Sequence, residues 1–224
     1  MGIHDGHRER LRQLYFDGGF ESMSDVQKLE LILTFSISRR DTNPIAHALL
    51  DLFGDFAGVL SAQPSDLMKV DGVSEVTAAL LHIIPDAAQY RKVQIAEKQM
   101  KVLDTVEKVT AYLRPRYDVS TEERAYLLCM DAKCHPIRCH ILANGELNTV
   151  NISVRHIVEL AMQDRAVLTV LSHNHVSGKA QPSREDLQTT KLAGEALRNL
   201  NVTLADHIII AGGDSYSFME HGEL

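Results

Sequence analysis

The sequence predicts an α/β protein in which a small all-α region, residues 1–101, precedes a mixed sheet with flanking helices, residues 102–224. Three observations predict it. From about Gly6 to Lys101 no segment alternates like a strand, while apolar residues recur at three and four, as in Val26, Leu29, Ile32 and Leu33. From Arg124 onward, short β-prone runs alternate with helical stretches, the pattern of a sheet with helices packed on it. The composition, 45% hydrophobic and 24% charged with 13 Gly and 6 Pro in 224 residues, excludes a disordered or collagen-like chain.

Within the first region, Asp41-Thr42-Asn43-Pro44 supplies capping and first-turn residues for a helix over Ile45–Phe53, and Gly54 fits its C-terminal cap. Leu67 to Leu81 reads as a helix, a tight turn at Gly72 and a second helix whose small residue Ala78 faces the first. This segment resembles the helix-hairpin-helix motif, in which free backbone amides and the second helix's N-terminus face a phosphate. Gly72 and Ser74 are then the nucleic-acid-contacting candidates. Ser74 stands where that motif usually has a second glycine, and Lys69 is the only nearby cation in sequence, so a packing hairpin of a small bundle is the competing reading. Tyr90 to Lys101, free of Gly and Pro, predicts a helix that ends the first domain near residue 101.

In the second region Asp104–Leu113 predicts an amphipathic helix stopped by Pro115. Arg124–Met130 and Pro136–Leu142 predict two strands across a turn at 131–133. Asn151-Ile152-Ser153 leads into a helix through Ala161, and Ala166–Leu171 predicts a buried strand that ends at Ser172-His173-Asn174-His175. Ser183 opens a long helix through Leu187, Leu192, Leu197 and Leu200, and Leu204–Ala211 returns as a strand.

Charge and cysteine usage narrow the function classes. Net charge is −7: ten Lys+Arg stand against fourteen Asp+Glu in residues 1–100, and thirteen against sixteen in 101–224. Non-specific nucleic-acid binding depends on Lys and Arg neutralising phosphates, so the charge balance argues against an extended DNA-coating surface and leaves room for a weak, local DNA contact. Cys129, Cys134 and Cys139 are odd in number and spaced five apart, which predicts thiols rather than a disulfide framework. Apolar runs such as 207–211 fall short of the roughly 18 residues a membrane span needs. The start of the chain has no apolar signal region, so the expected compartment is the cytoplasm, with no membrane partner.

The chemistry gathers at residues 173–186. In an extended segment His173 and His175 point to one face and Asn174 to the other. Asp186 lies in the first turn of the following helix, which would carry its carboxylate back toward the strand end. Two His and one Asp give a tetrahedral Zn²⁺ three protein ligands and one open position, the arrangement of a catalytic site. About one Zn²⁺ per chain is expected. Ser183 both caps the helix and can turn its hydroxyl to the site. Asn174 is a candidate for orienting a ligand. The pairs Cys134-His135 and Cys139-His140 do not make a persuasive second zinc site, since one cysteine falls near a turn and the other in a strand. His207, beside Asp206, reads as a buried structural histidine rather than a further ligand. The string His173-Asn174-His175 spells the name of a nuclease motif whose residues are dispersed over a longer segment, and is discounted as such.

Ser172-His173-Asn174-His175-Val176-Ser177-Gly178, Gln181-Pro182-Ser183-Arg184-Glu185-Asp186 and Asp206-His207-Ile208-Ile209-Ile210 resemble the RadC-like branch of the JAMM/MPN-type metalloproteins. Val176 departs from that pattern, which usually has Pro there, but removes no ligand atom. The resemblance covers nearly the whole chain, since RadC-like proteins carry an N-terminal helix-hairpin-helix domain. It implies a JAMM/MPN-like (cytidine-deaminase-like) mixed sheet and a zinc metallopeptidase or isopeptidase acting on a protein or peptide. The family's catalytic glutamate just before a strand matches Glu123, with Glu122 as the alternative. The implied roles are proton transfer by Glu123, stabilisation of the oxyanion by Ser183, and metal ligation by His173, His175 and Asp186. Two other function classes compete: a DNA-associated repair or recombination factor, and a non-catalytic zinc-stabilised interaction module. Substrate and oligomeric state are not encoded in these motifs.

Overall fold

The computed structural model describes residues 5–118, 122–144, 153–176 and 178–224. Met1–His4, the Asn151-Ile152 lead-in and Ser177 lie outside them. The chain divides into two compact units, Met1–Ala88 and Gln89–Leu224. The division falls inside a helix, not at residue 101, because the last turns of that helix join the second unit: Gln89 Nε2 donates to Arg116 O at 2.6 Å and Arg116 pairs with Glu97 at 2.7 Å.

The first unit contains α1 (Asp5–Gly18), α2 (Asp25–Leu33), α3 (Asn43–Phe53), α4 (Phe56–Ser61), α5 (Pro64–Leu67) and the start of α6 (Glu75–Gln99). The expected helix over 45–53 is α3, with Pro44 in its first turn and Gly54 beyond its end at φ 91°, a conformation that favours glycine. The segment 67–81 corresponds to a single helical turn, α5, followed by the Gly72 turn and α6. Ala78 is buried as expected. The helix expected over 90–101 is the C-terminal part of α6, which continues through Pro85. Leu29, Leu33, Leu49, Leu67 and Leu81 form the centre of this unit's core.

In the second unit α7 (Val106–Leu113) precedes a five-stranded mixed sheet of β1 (Arg124–Met130), β2 (Pro136–Asn144), β3 (Leu168–Asn174), β4 (Thr203–Ala211) and β5 (Asp214–Ser217), in the order β2-β1-β3-β4-β5. Only β3 and β4 run parallel, and α9 (Arg184–Arg198) is the crossover between them; α8 (Val154–Gln163) joins β2 to β3. Side-chain alternation separates two layers of core. Tyr126, Leu128 and Met130 pack with Tyr112 and Leu113 of α7, whereas Leu127 and Cys129 pack with Ile157 and Ala161 of α8 and Ala193 and Leu197 of α9. β5 is absent from the sequence expectation because its residues, Asp-Ser-Tyr-Ser, lack an apolar pattern. Ser217 Oγ donates to Asp206 Oδ2 at 2.6 Å, tying β5 to β4.

Candidate metal centre

The centre forms where β3 ends and α9 begins. β3 is central, its His173 opposite Ala125 of β1 and Ile209 of β4, so the position of the imidazole is set by strands on both sides. The strand runs on to Asn174, beyond the expected apolar stretch, and His173 is buried. On the helix side, Ser183 Oγ accepts from Asp186 N at 3.1 Å, and Asp186 Oδ2 accepts from Ser183 N at 2.8 Å and from Ser183 Oγ at 2.7 Å. This capping box fixes Asp186 in the first turn of α9.

His173, His175 and Asp186 converge, with one ligating atom from each within 4.8 Å of the others. The hydrogen bonds around them settle which nitrogens carry protons. Thr190 Oγ1 donates to Asp186 O at 2.6 Å, so it must accept from His207 Nδ1 at 2.5 Å. His207 Nε2 is then an acceptor, and it takes the Nδ1 proton of His173 at 2.9 Å. His175 Nδ1 donates to Lys179 O at 3.1 Å. With both rings neutral, this tautomer turns both Nε2 lone pairs toward Asp186. The two Nε2 atoms stand 3.0 Å apart, with Asp186 Oδ1 3.2 Å from His173 and Oδ2 3.6 Å from His175. Three electron-pair donors at such spacing repel one another unless a cation lies among them, so the donor set fits a divalent metal.

The electrostatics agree. Burial would raise the Asp186 carboxyl, but positive charge shared with His173 and His175, a proton on Nε2 where no metal ion stands, holds it far below the usual carboxylate range. The Asp186 hydrogen bond raises His175 against the opposing effect of burial. Burial lowers His207 well below the usual histidine range and keeps it neutral, as its acceptor role demands. His207 is structural, as expected, and it holds His173 instead of ligating.

Glu123 is half-buried immediately before β1, and its charge is the smallest of the influences that raise His175. Asn174 does not orient a ligand, the role considered for it above. Its Oδ1 accepts from Arg124 N at 2.6 Å and its Nδ2 donates to Glu122 O at 3.2 Å, so it clamps the backbone that carries Glu123. Ser183 directs its hydroxyl proton at Asp186 rather than at an open coordination position. A cleft of about 340 Å³ opens at His175, walled by Arg114, Tyr117, Asn174, Val176 and Gly178. A larger cavity of about 620 Å³ along α9, lined by Leu187, Leu204 and Leu224, lacks any such ligand cluster among the described residues.

Gly72 and Ser74 belong to the other unit. Gly72 has φ 91°, and a Cβ there would stand 2.7 Å from Ile45 and 2.8 Å from Arg40. Ser74 Oγ accepts from Thr77 N at 3.3 Å at the start of α6. Both have packing or capping roles. Thr190 and the hydrogen bond by which His207 holds His173 were missed by sequence reasoning; the available signal was the one-turn spacing of Asp186 and Thr190 on one helix face.

Among the described residues no helix is long and apolar enough to cross a membrane. A UPF0758 protein of Ruegeria pomeroyi is 33% identical over 218 residues, covering 97% of this chain and 97% of its own length. A UPF0758 protein of Rhodobacter capsulatus is 35% identical over 214 residues, covering 96% of this chain and 100% of its own. Residues 103–223 match the RadC-like JAB domain, which contains every member of the ligand set described above, and the chain belongs to that family.

Proposed function

We propose that the second unit is a zinc-dependent hydrolase of amide bonds, a peptidase or isopeptidase acting on a protein or peptide. The observation that supports this reading is the convergence of two Nε2 atoms and the Asp186 carboxylate on one point, with the charge of Glu123 felt at His175. His173, His175 and Asp186 would hold the ion, and three protein ligands leave one position for chemistry. When bound, Zn²⁺ supplies a Lewis acid that polarises a carbonyl and lowers the pKa of water to about 7.

The chain's own groups do the rest. Glu123 accepts the proton of the attacking water and returns it to the leaving amine. Asn174 keeps that carboxylate in place by gripping the backbone on both sides of it. Ser183 anchors Asp186; with the carboxylate's charge shared by a cation, its hydroxyl can turn to the oxyanion that develops on the substrate. The cleft walled by Tyr117 and Val176 is open beside His175 and would receive the substrate.

Metal analysis paired with terminomics tests this. The double variant His173→Ala/His175→Ala should lose about one equivalent of zinc, and its retention in full would sink the ligand assignment. Zinc-loaded wild type incubated with cell extract should release new amino termini or lysine amines. Glu123→Gln, still zinc-loaded and folded, should do so about 10²–10⁴ times more slowly. Equal cleavage by wild type and Glu123→Gln would refute the proton-transfer role, and an inactive Glu122→Gln beside an active Glu123→Gln would move that role by one residue.

A further inference from the structure

We propose that Cys129, His140 and Asp164 form a second metal site, specific for a thiophilic divalent ion of the Zn²⁺ or Co²⁺ type. It lies on the face of the sheet covered by α8, and it uses none of the residues assigned above. Cys129 comes from β1, His140 from the neighbouring strand β2, and Asp164 from the C-cap of α8. One ligating atom of each lies within 4.8 Å of the other two.

The triad is unusual for its surroundings. Cys129 is fully buried among Leu127, Ile157, Ala161 and Leu171, and the Asp164 side chain is only 4% exposed. His140 Nε2 meets Asp164 Oδ2 at 2.6 Å, and the same carboxylate acts on the Cys129 thiol. Arg138 stands 3.9 Å from Asp164 Oδ1 but is itself 60% exposed, so a charged partner in solvent is available to it. Register explains the convergence: Leu127 lies opposite His140 and Cys129 opposite Arg138, so His140 and Arg138 share the face of Cys129. The pair Cys139-His140 splits across the sheet, Cys139 packing on the α7 side, which is why adjacent residues in sequence do not make this site.

The donor set selects the ion. One thiolate, one imidazole and one carboxylate suit zinc or cobalt and disfavour Mg²⁺ or Ca²⁺, which take oxygen ligands. Ligand atoms on one tetrahedral zinc lie roughly 3.3–3.8 Å apart, so the His140–Asp164 contact would open by about 1 Å to admit it. On binding, the S–H bond of Cys129 breaks and a sulfur–metal bond forms, while the Nε2 proton that His140 gives to Asp164 moves to Nδ1 or leaves as well; the released protons go to solvent, with no change of oxidation state. Without an ion, burial first, and then the charge and hydrogen bond of Asp164, push the thiol up to about 12, so the metal is what would draw the proton off. The bound ion would cross-link β1, β2 and α8.

Cobalt distinguishes this site from the other, whose ligands contain no sulfur. Titration of the metal-free full chain with Co²⁺ should load about two equivalents per chain, one of which carries a near-ultraviolet thiolate-to-cobalt charge-transfer band. The band should persist in His173→Ala/His175→Ala and in Cys134→Ser/Cys139→Ser, and should be lost in His140→Ala and Cys129→Ala, with circular dichroism confirming the fold of each. Because Cys129 is buried, its variant could misfold, and the wild-type spectrum decides alone: cobalt bound to folded wild type without the band overturns the site. Persistence of the full band in folded Cys129→Ala, or its loss in His173→Ala/His175→Ala alone, overturns it as well.

Discussion

His207 ligates nothing, yet it determines which nitrogen of His173 faces Asp186. The relay runs from Thr190 through His207 to His173, and each step is dictated by the carbonyl of Asp186, which can only accept. Thr190→Val removes the hydroxyl while keeping the branch, so His207 loses its acceptor and the tautomer of His173 is released. Metal affinity should fall about 10–100-fold, the usual effect of deleting a group that supports a ligand. Competition with a chromophoric chelator would measure it, with thermal melting run in parallel to remove any fold effect. Unchanged affinity in a folded variant would mean that the strand alone orients His173. Ser183→Ala acts on the neighbouring ligand: it removes a helix cap, which costs about 1 kcal/mol, and also a hydrogen bond to Asp186, so the melting temperature and the metal affinity should both fall.

At the scale of elements, what was legible depended on whether local chemistry decided the outcome. α9 and β3 were readable because a capping box and an apolar run each act within a few residues. α6 was legible only as two separate helices, because Pro85 interrupts the helical signal between them, and β5, a polar strand held by a side chain of β4, was not legible. α2 shows local control of another kind. Ser24 and Gln27 cap it reciprocally, and Asp25 in its first turn pairs with Lys28 at 2.7 Å and accepts from Phe56 N of α4 at 3.4 Å. The Lys28 hydrogen bond first, and the Phe56 amide after it, hold the Asp25 carboxyl below the ordinary value despite the opposing effect of burial. A carboxyl lowered in the folded state contributes stability above its unfolded value, near pH 4, and loses it as the pH falls through the folded value. Asp25→Asn should therefore lower the melting temperature at pH 7, with the gap to wild type closing below about pH 4. A gap that stays constant from pH 7 to pH 3 would show that charge at Asp25 is irrelevant to α2.

For the whole molecule, the ligand triad was legible because His173, His175 and Asp186 lie within fourteen residues, whereas the triad at Cys129 depends on strand register and could not be seen before the sheet was assembled. The hairpin at Gly72 shows the reverse: a sequence likeness whose groups are already engaged in the fold. The Gly72 amide acts on the Asp71 carboxylate, Val73 N donates to Val70 O at 3.1 Å, and Thr77 N donates to Ser74 Oγ. The two cations bordering the turn are paired, Arg40 with Asp71 at 2.5 Å and Lys69 with Asp66 at 2.7 Å, and Glu75 adds a further acid at the start of α6. A phosphate would have to displace these acids in a unit that already carries more Asp and Glu than Lys and Arg. Duplex DNA should therefore bind weakly, and since each neutralised phosphate contributes about 0.9 to the log–log salt slope, the slope should not exceed about 2 in magnitude. Titration of labelled duplex at several salt concentrations measures this directly. Sub-micromolar binding with a slope near 7, that of about eight phosphate contacts, would show that a basic surface elsewhere on the chain engages DNA and would restore nucleic acid as a principal partner.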